Sequence, residues 1–280
     1  MPEVRRSSKG VQWYTNRVIG VSPDGKTIGF LSLRDNSANV FIKDLEKLSV
    51  SVQRTKRQFV TDFSFSPDGT KICFSEKVTK NFNVYQTDAK QGFVCRQITN
   101  GTQDYNPTYS PDMSQIFFAR QENRSMSIWS YNIQNNFLSN YSSGYNPCAL
   151  SNSSIICARS NQQGKGEIWR IDTNTGVEEC IVSDVSKSFT SPSVSPNGKW
   201  ILMTGSSVIA NQLNNKVTEY HNADIYVVRT DGSELTQLTY HAADDLSPAW
   251  SSDGSVIYFV SQRGSATKTA NIWKMNFNLE

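Results

Sequence analysis

The sequence predicts an all-β fold, a six-bladed β-propeller with four-stranded antiparallel blades. Two repeating patterns support this prediction, and no stretch shows helical periodicity. A tight-turn motif recurs with a basic spacing of 44 residues, and a strand triplet with an aromatic third residue recurs in step with it. Two independent patterns at one such period are typical of propeller blades. The alternative is an all-β sandwich with accidental self-similarity, but sandwiches have no fixed period.

The turn motif has the form Ser-Pro-Asp-Gly and precedes a β-rich run in each unit. Proline presets φ, Asp or Asn bonds its own backbone, and Gly adopts positive φ, so each copy predicts a hairpin between the first two strands. A degenerate copy, 151–154, has lost Pro and Asp and predicts a looser or differently shaped hairpin in unit four. The clear copies begin at Ser22, Ser66, Ser110, Ser195 and Ser251.

The strand triplet marks the third strand of every unit. In unit two, the two patterns together predict four strands at about 61–65, 71–76, 83–88 and 93–98. Six triplets make six units: Asn39-Val40-Phe41, Asn83-Val84-Tyr85, Ser127-Ile128-Trp129, Glu167-Ile168-Trp169, Asp224-Ile225-Tyr226 and Asn271-Ile272-Trp273.

The last unit supplies only three strands. The N-terminal segment 3–7 precedes unit one in the position that a fourth strand has elsewhere. We expect this segment to close the last blade beside the strand of Trp273, because an open ring leaves bare strand edges. Residues 1–280 are then one six-bladed domain, a length that all-β folds reach.

Unit five is longer than the others, with an insert at roughly 207–222 between its second and third strands. In a propeller this connection lies on the face opposite the Ser-Pro-Asp-Gly turns. Long loops are uncommon unless they are functional or disordered. The sequence therefore favours this face as the binding surface, and an insertion without a role is the alternative.

The composition excludes several classes of protein. The net charge is +3, no nucleic-acid motif accompanies the basic residues, and no apolar run approaches the ~18 residues that span a bilayer. Five cysteines without short spacings indicate neither a disulfide framework nor a zinc site. We expect a monomer that binds no nucleic acid and has no transmembrane segment.

Arginines in the connections after the second strands predict a recognition surface, together with aromatic residues before the inner strands and side chains of the insert. The alternative is that each arginine pairs with an acid of its own blade. The candidate binding residues are Arg34, Arg120, Arg124, Tyr105, Tyr145, Tyr220, His221 and Arg263.

Four acids precede inner strands and are expected to converge on the mouth of the central channel: Asp62, Asp104, Asp244 and Asp245. Carboxylates around a water-filled channel could hold Ca²⁺, which takes six to eight oxygen ligands. The alternative is that each Asp caps its own loop by accepting backbone N–H groups. We expect no cofactor to be required, with channel calcium as the one candidate.

Catalytic signals are scarce in this sequence. It has only two histidines, His221 and His241, and it contains no G-x-S-x-G, H-E-x-x-H or G-x-G-x-x-G motif. A histidine near acids, as His241 is, could act as a general base, but it is more often a hydrogen-bonded loop residue. The sequence therefore predicts that the protein is not an enzyme.

The repeats closely resemble those of the TolB-like six-bladed propellers. The resemblance rests on segment 66–74 (Ser-Pro-Asp-Gly-Thr-Lys-Ile-Cys-Phe), on 235–239 (Leu-Thr-Gln-Leu-Thr) with the turn that follows it, and on 31–35 leading to 39–41. It covers nearly the whole chain and is specific for the fold but weak for function.

The resemblance implies a binding role in the periplasm or cell envelope of bacteria; the location is cytoplasmic if Met1 is the native start. We predict a non-catalytic scaffold that recognises a protein or peptide through one face of the ring. The alternative is recognition or lyase-like cleavage of an acidic glycan at the channel mouth. Related lyases imply a histidine-rich metal site, which two histidines do not supply.

Overall fold

Every regular element in the described part of the protein is a β-strand. None of the described residues forms a helix long and apolar enough to cross a membrane. The computed structural model describes residues 3–6, 12–15, 19–34, 36–47, 50–91, 93–101, 103–213, 216–264 and 270–278, with side chains except at 3–6, 12–15 and 208–221.

The strands form six propeller blades and one short extra sheet, which confirms the predicted fold. The extra sheet consists of β1 (Glu3–Arg6) and β2 (Gln12–Thr15). Blade one contains β3 (Ile19–Val21), β4 (Thr27–Arg34), β5 (Ser37–Asp44) and β6 (Val52–Gln53). Blade two contains β7 (Val60–Phe65), β8 (Lys71–Val78), β9 (Asn81–Asp88) and β10 (Cys95–Gln97). Blade three contains β11 (Asp104–Tyr109), β12 (Gln115–Glu122), β13 (Ser125–Asn132) and β14 (Leu138–Ser143).

The remaining three blades follow in sequence order. Blade four contains β15 (Tyr145–Ser151), β16 (Ser154–Ser160), β17 (Gly166–Asp172) and β18 (Glu178–Val182). Blade five contains β19 (Lys187–Val194), β20 (Trp200–Leu213), β21 (Lys216–Arg229) and β22 (Thr236–Gln237). Blade six contains β23 (Asp245–Trp250), β24 (Val256–Ser261) and β25 (Asn271–Asn276).

The core lies between neighbouring blades, in six apolar clusters that run around the ring. Between blades two and three, for example, Cys73 and Val84 pack against Ile116 and Phe118, all fully buried. Each middle strand is apolar on both faces because each sheet is covered on both sides. This burial is what holds the inner strands around a central channel.

The Ser-Pro-Asp-Gly turns cluster on one face of the ring, here called the turn face. In blade two the Ser66 hydroxyl donates to Asp68 Oδ1 at 2.6 Å and accepts the Lys71 N–H at 2.8 Å, while Gly69 has a φ of +70°. The same carboxylate oxygen accepts the Thr70 N–H. The motif thus satisfies its own polar groups. The opposite face, here called the loop face, carries the connections between second and third strands and between blades.

Blade four has a differently shaped turn, as its degenerate motif predicts. Strands β15 and β16 are joined by only two residues, and Ser151 pairs directly with Ser154. The hairpin is therefore tighter than the others and not looser. The Asn152 side chain uses its free acceptor to receive the Asp112 N–H of the neighbouring blade at 3.0 Å.

The insert of blade five is not a loop. Strands β20 and β21 continue through it as one antiparallel hairpin, in register from Trp200 opposite Arg229 to Leu213 opposite Lys216. Its β-branched residues support an extended backbone, and Asn214-Asn215 is a sequence typical of a two-residue hairpin turn. The predicted insert 207–222 is thus a paired extension of the second and third strands on the loop face.

The N-terminal segment does not close the last blade. Strand β1 pairs with β2, with Val4 opposite Tyr14, and the sheet of blade six contains three strands among the described residues. Only positions 7–11 separate β1 from β2 in the sequence, so pairing these two strands costs little chain entropy, whereas pairing with β25 requires closure of the whole ring. The prediction that this segment pairs beside Trp273 is therefore wrong.

Candidate functional site

A ring of polar side chains lines the central channel. We call it the polar ring: Asp62, Asn106, Asn146, Ser191 and Ser247. The last four residues each precede a proline and have φ values between 50° and 54°. The register of the inner strand shifts at each of these four sites. Such bulges redirect a side chain, and here they place polar groups in the channel.

On the loop face the polar ring is continuous with a cleft of about 590 Å³ at blades two, three and four. We call it the loop-face cleft. Asp62, Asn106 and Asn146 of the polar ring belong to its lining. Phe82 and Tyr105 form one wall, with ring centroids 4.7 Å apart. A concave, largely apolar site with a few converging polar groups is the usual form of a ligand site.

The walls of the cleft are held in place by hydrogen bonds. The Tyr105 hydroxyl donates to Gln103 Oε1 at 2.8 Å, and Gln103 Nε2 donates to the Lys80 carbonyl at 2.8 Å. On the other side, the Tyr145 hydroxyl is buried without a hydrogen-bond partner, and this burial raises its pKa. The site is therefore largely pre-formed.

Gly144 forms the junction between blades three and four at the bottom of the cleft. Its φ is +151°, and a Cβ atom there would lie 2.9 Å from Cys157 Sγ. Only glycine lets the chain pass this closely at this backbone conformation. The residue keeps Tyr145 and Asn146 close to blade three.

Besides the Tyr145 hydroxyl, two buried acceptors in the cleft lack hydrogen-bond donors. Asn146 Oδ1 and Asp62 Oδ1 have no partner within hydrogen-bond distance, while Asp62 Oδ2 accepts the Thr61 hydroxyl at 3.0 Å. Burial raises the pKa of the Asp62 carboxyl to about 7, opposed by the hydroxyls of Thr61 and Ser75 and by the Asn106 backbone N–H. Perturbed pKa values of this kind cluster at functional sites.

The structure places the predicted arginines in different environments. Arg120 is buried and forms a two-point ion pair with Asp104, at 2.8 and 3.2 Å, while stacking on Trp129 at 4.4 Å. Arg263 pairs with Asp245 in blade six. Arg34 lies over Phe41 at 4.0 Å in blade one.

Of the predicted binding residues, the structure brings Arg124, Tyr105 and Tyr145 together in the loop-face cleft. Arg34, Arg120 and Arg263 lie outside it. The backbone of Tyr220 and His221 lies in β21, and their side chains are outside the described part of the structure. Arg159 joins the cleft rim, where it pairs with Glu178 at 2.7 Å and lies over Trp169 at 4.3 Å.

The four predicted calcium-binding acids do not converge. Asp62 alone lines the channel; Asp104 and Asp245 are buried in ion pairs with arginine, and Asp244 accepts the Ala223 N–H at 3.0 Å. Within the described ranges, no group of three or more His, Cys, Asp or Glu side chains is placed to hold a metal ion. The bulge at Asn106 explains the difference, because it shifts the register between Asp104 and the channel-lining residues.

His241, the possible general base of the sequence, and the buried cysteines Cys73 and Cys157 are not among the residues that line the loop-face cleft. His241 is exposed, and its Nδ1 accepts the Ala243 N–H at 2.9 Å. Cys73 and Cys157 are fully buried, and burial raises the pKa of both thiols, to about 12 for Cys157. A thiol whose pKa is raised by burial is a weak nucleophile.

Sequence reasoning missed Ser191 and Ser247 as members of the polar ring. A usable signal exists, since an Asn-Pro or Ser-Pro pair begins four or five residues before the turn serine in blades three to six. Asp62 occupies the same offset in blade two without a following proline. The offset from the turn serine therefore identifies the channel-lining position better than the presence of an acid does.

The comparisons with known proteins concern the whole ring. A family model described as the TolB beta propeller domain matches residues 18–215, more than two thirds of the chain. None of the curated protein sequences matches significantly.

Several solved structures share the fold at low identity. The putative TolB from Agrobacterium tumefaciens is 17% identical with a TM-score of 0.69, over 95% of this chain and 93% of that chain. TolB from Acinetobacter baumannii is 22% identical with a TM-score of 0.66, and the match covers 87% of this chain but only 61% of that one. Oligogalacturonate lyase from Vibrio parahaemolyticus is 13% identical with a TM-score of 0.61, over 99% and 96%. These identities establish the architecture alone.

Proposed function

Since the chain belongs to the TolB β-propeller domain family, we propose that it is a non-catalytic binding scaffold that holds a segment of a protein or peptide in the loop-face cleft. Membership of this family establishes the propeller fold, but binding proteins and enzymes both use this fold. The proposal therefore rests on the chemistry of the cleft.

The observation that carries it is the pair of unsatisfied acceptors, Asn146 Oδ1 and Asp62 Oδ1, beside the aromatic wall of Phe82 and Tyr105. A buried acceptor without a donor costs about 1–3 kcal/mol. A ligand that donates N–H groups recovers this free energy on binding. Backbone amides and the side chains of Lys, Arg, Asn or Gln provide such donors next to apolar surface.

The ionisation of Asp62 adds a preference for positive charge. Its carboxyl has a pKa of about 7, so it is about half ionised at neutral pH. A cationic side chain close to it favours the ionised form. We therefore expect a basic peptide to bind more tightly at pH 8 than at pH 6.

The acidic-glycan alternative has less support. A glycan carboxylate needs a cation that is free to pair with it. Arg120, Arg159 and Arg263 each already pair with an acid of their own blade. Arg124 at the rim makes no ion pair with another residue in the described ranges, and a single exposed cation is a weak basis for a glycan site.

The test is selection from a peptide-display library on the immobilised protein, followed by calorimetry of the enriched peptides. Asp62→Asn keeps the shape of the cleft and removes its charge. Asp68→Asn is a matched control, because Asp68 lies on the turn face, in the turn that follows the inner strand of Asp62. We expect Asp62→Asn to weaken binding about tenfold and Asp68→Asn to change it less than twofold.

Equal effects of the two substitutions, or no enriched peptide, contradict the proposal. Oligogalacturonate titrated in the same calorimeter tests the glycan alternative. Binding of oligogalacturonate that depends on Arg124, or the release of unsaturated products, favours that alternative.

The family resemblance also motivates proposals about location, assembly and metal. We propose a periplasmic or envelope location, to be tested by fractionation of the source cells, and a monomer, to be tested by light scattering. Channel calcium stays a prediction, for which the polar ring offers the Asp62 carboxylate. A calcium titration that shows no heat with the wild type excludes it.

A further inference from the structure

Three blades attach their fourth strand by the same clasp, a Gln-x-Thr sequence at 53–55, 97–99 and 237–239. In blade one, the Thr55 hydroxyl accepts the Val40 N–H at 2.9 Å, and Gln53 Nε2 donates to the Thr55 carbonyl at 2.6 Å. The equivalent pairs have the same geometry in blade two, at 3.0 and 2.8 Å, and in blade five, at 3.0 and 2.8 Å.

The third strand provides the receiving half of the clasp. It consists of an Asn or Asp, a β-branched residue and an aromatic residue. The Thr55 hydroxyl donates to Asn39 Oδ1 at 2.9 Å, and the Thr239 hydroxyl donates to Asp224 Oδ1 at 3.1 Å. The central residue of this triplet turns both its N–H and its C=O toward the fourth strand, since the Val40 carbonyl accepts the Arg54 N–H at 2.8 Å.

Blade six has the receiving half of the clasp and lacks the other half. Its triplet is Asn271-Ile272-Trp273, and on its inner side this triplet pairs with the last three residues of β24. No strand pairs with the outer edge of β25 within the described ranges. Ile272 and Trp273 are 37% and 39% exposed, whereas Val40 and Phe41 at the clasped positions are 0% and 4% exposed.

We propose that the outer edge of β25 binds an extended segment of a partner protein that carries a Gln-x-Thr sequence. The partner strand pairs antiparallel with β25. Its Thr hydroxyl accepts the Ile272 N–H and donates to the Asn271 side chain, and its backbone covers Trp273. Addition of a strand to an open sheet edge is a common mode of peptide recognition.

The internal clasps define the chemistry of this partner. The chain contains only three Gln-x-Thr sequences, and each is already paired within its own blade. Strand β1 is paired with β2. The edge lies on blade six and the loop-face cleft on blades two to four, so this proposal does not depend on the proposed function.

The test uses a synthetic eight-residue peptide with the sequence of residues 233–240, which is the clasp strand of blade five. A control peptide carries the changes Gln237→Ala and Thr239→Ala. Hydrogen exchange of the full chain follows the Ile272 amide, and calorimetry gives the affinity. We expect the first peptide to protect the Ile272 amide at least tenfold and to bind about tenfold more tightly than the control, because the control loses the two hydrogen bonds of the Thr hydroxyl to the protein and the Gln side-chain bond within the peptide.

A variant of the protein gives a second, independent readout. Ile272→Pro removes the outward N–H, and it leaves the pairing with β24 intact because proline is tolerated on an edge strand. This variant should lose peptide binding. The peptide pair keeps the proposal falsifiable if the variant folds poorly, since neither peptide alters the protein.

Three results overturn the proposal. Equal affinity for the two peptides means that the edge does not read the clasp sequence. An Ile272 amide that is already protected without peptide, and exposed after removal of residues 1–9, means that the chain occupies its own edge. Protection that rises with protein concentration means that a second copy occupies it.

Discussion

Asp62 lies in strand β7 of blade two, and Asp68 lies six residues later in the turn that follows this strand. Their surroundings shift the pKa values of the two carboxyls in opposite directions. At the turn face, the Ser66 hydroxyl and the Thr70 N–H hold the pKa of the Asp68 carboxyl below its ordinary value. At the loop face, burial raises the pKa of the Asp62 carboxyl to about 7. The same residue type thus has its hydrogen-bond acceptors filled on the turn face and partly unfilled on the loop face.

The difference follows from how each environment is built. The partners of Asp68 come from within five residues, so the turn forms wherever the motif occurs. The cleft around Asp62 is assembled from three blades. Local sequence therefore determines the structure of the turn face, whereas packing between blades determines the structure of the loop face, to which we assign binding.

The largest expected effect concerns Asp104, a buried acid that is paired with Arg120. Arg120→Met should destabilise the protein by about 3–5 kcal/mol, because it leaves an uncompensated carboxylate in the interior. Urea unfolding followed by fluorescence measures this change. Arg170→Met is the matched control, since its ion pair with Glu179 is exposed and should contribute less than about 1 kcal/mol. Equal losses would mean that burial of the pair is not what matters.

The second prediction tests the raised pKa of Asp62. A carboxyl with a raised folded-state pKa contributes stability below its unfolded pKa of about 3.8, and this contribution is lost as the pH rises through about 7. Asp62→Asn should therefore stabilise the protein at pH 8 by on the order of 2 kcal/mol and have little effect at pH 3.5. Thermal unfolding at the two pH values measures the difference. A gain that is independent of pH would contradict the assignment.

The third prediction has the opposite pH dependence. Asp68→Ala should destabilise the protein by about 1 kcal/mol at pH 7, because the Ser66 hydroxyl and the Thr70 N–H lose their acceptor. The lowered pKa of Asp68 contributes stability above its unfolded value and loses it as the pH falls through the folded value. The effect should therefore shrink on acidification to pH 2. An undiminished loss at that pH would indicate a packing effect.

The smallest expected effect is that of the blade-five hairpin. Replacement of residues 208–221 by a two-residue turn leaves the pairs Thr204 with Ile225 and Gly205 with Asp224 in place. We expect the free energy of unfolding to change by less than about 0.5 kcal/mol. Binding of cleft peptides should also persist. Loss of peptide binding with unchanged stability would move the binding surface to this hairpin.

Much of the fold could be predicted from the sequence, because its signals are local. The turn motif and the aromatic triplet locate the strands of blade two to within two residues of Val60–Phe65, Lys71–Val78, Asn81–Asp88 and Cys95–Gln97. The extra length of unit five by itself predicts a loop, whereas the β-branched residues on both sides of the insert are typical of paired strands.

The candidate site was harder to predict because it depends on side-chain direction. Counting by twos along an inner strand places Asp104 in the channel, but the bulge at Asn106 shifts the register and Asp104 pairs with Arg120. Of the predicted binding residues, Tyr105, Tyr145 and Arg124 line the loop-face cleft, and no sequence pattern separates them from Arg34 or Arg263. The packing of blades two, three and four brings the first three residues together and leaves Arg34 and Arg263 outside the cleft.

The sixth blade also affects how the ring can come apart. Among the residues whose side chains are described, the cluster that joins it to blade one contains three buried residues, Ile19, Ala249 and Val260, whereas each of the other five clusters contains at least six. A ring in which one interface between blades is much smaller than the others resembles a linear array of repeats with two ends. The stability of such an array is the sum of the stabilities of its repeats and of the interfaces between neighbours. Unfolding should then begin at this junction and proceed blade by blade, so the cooperativity of the transition reports whether the ring is closed.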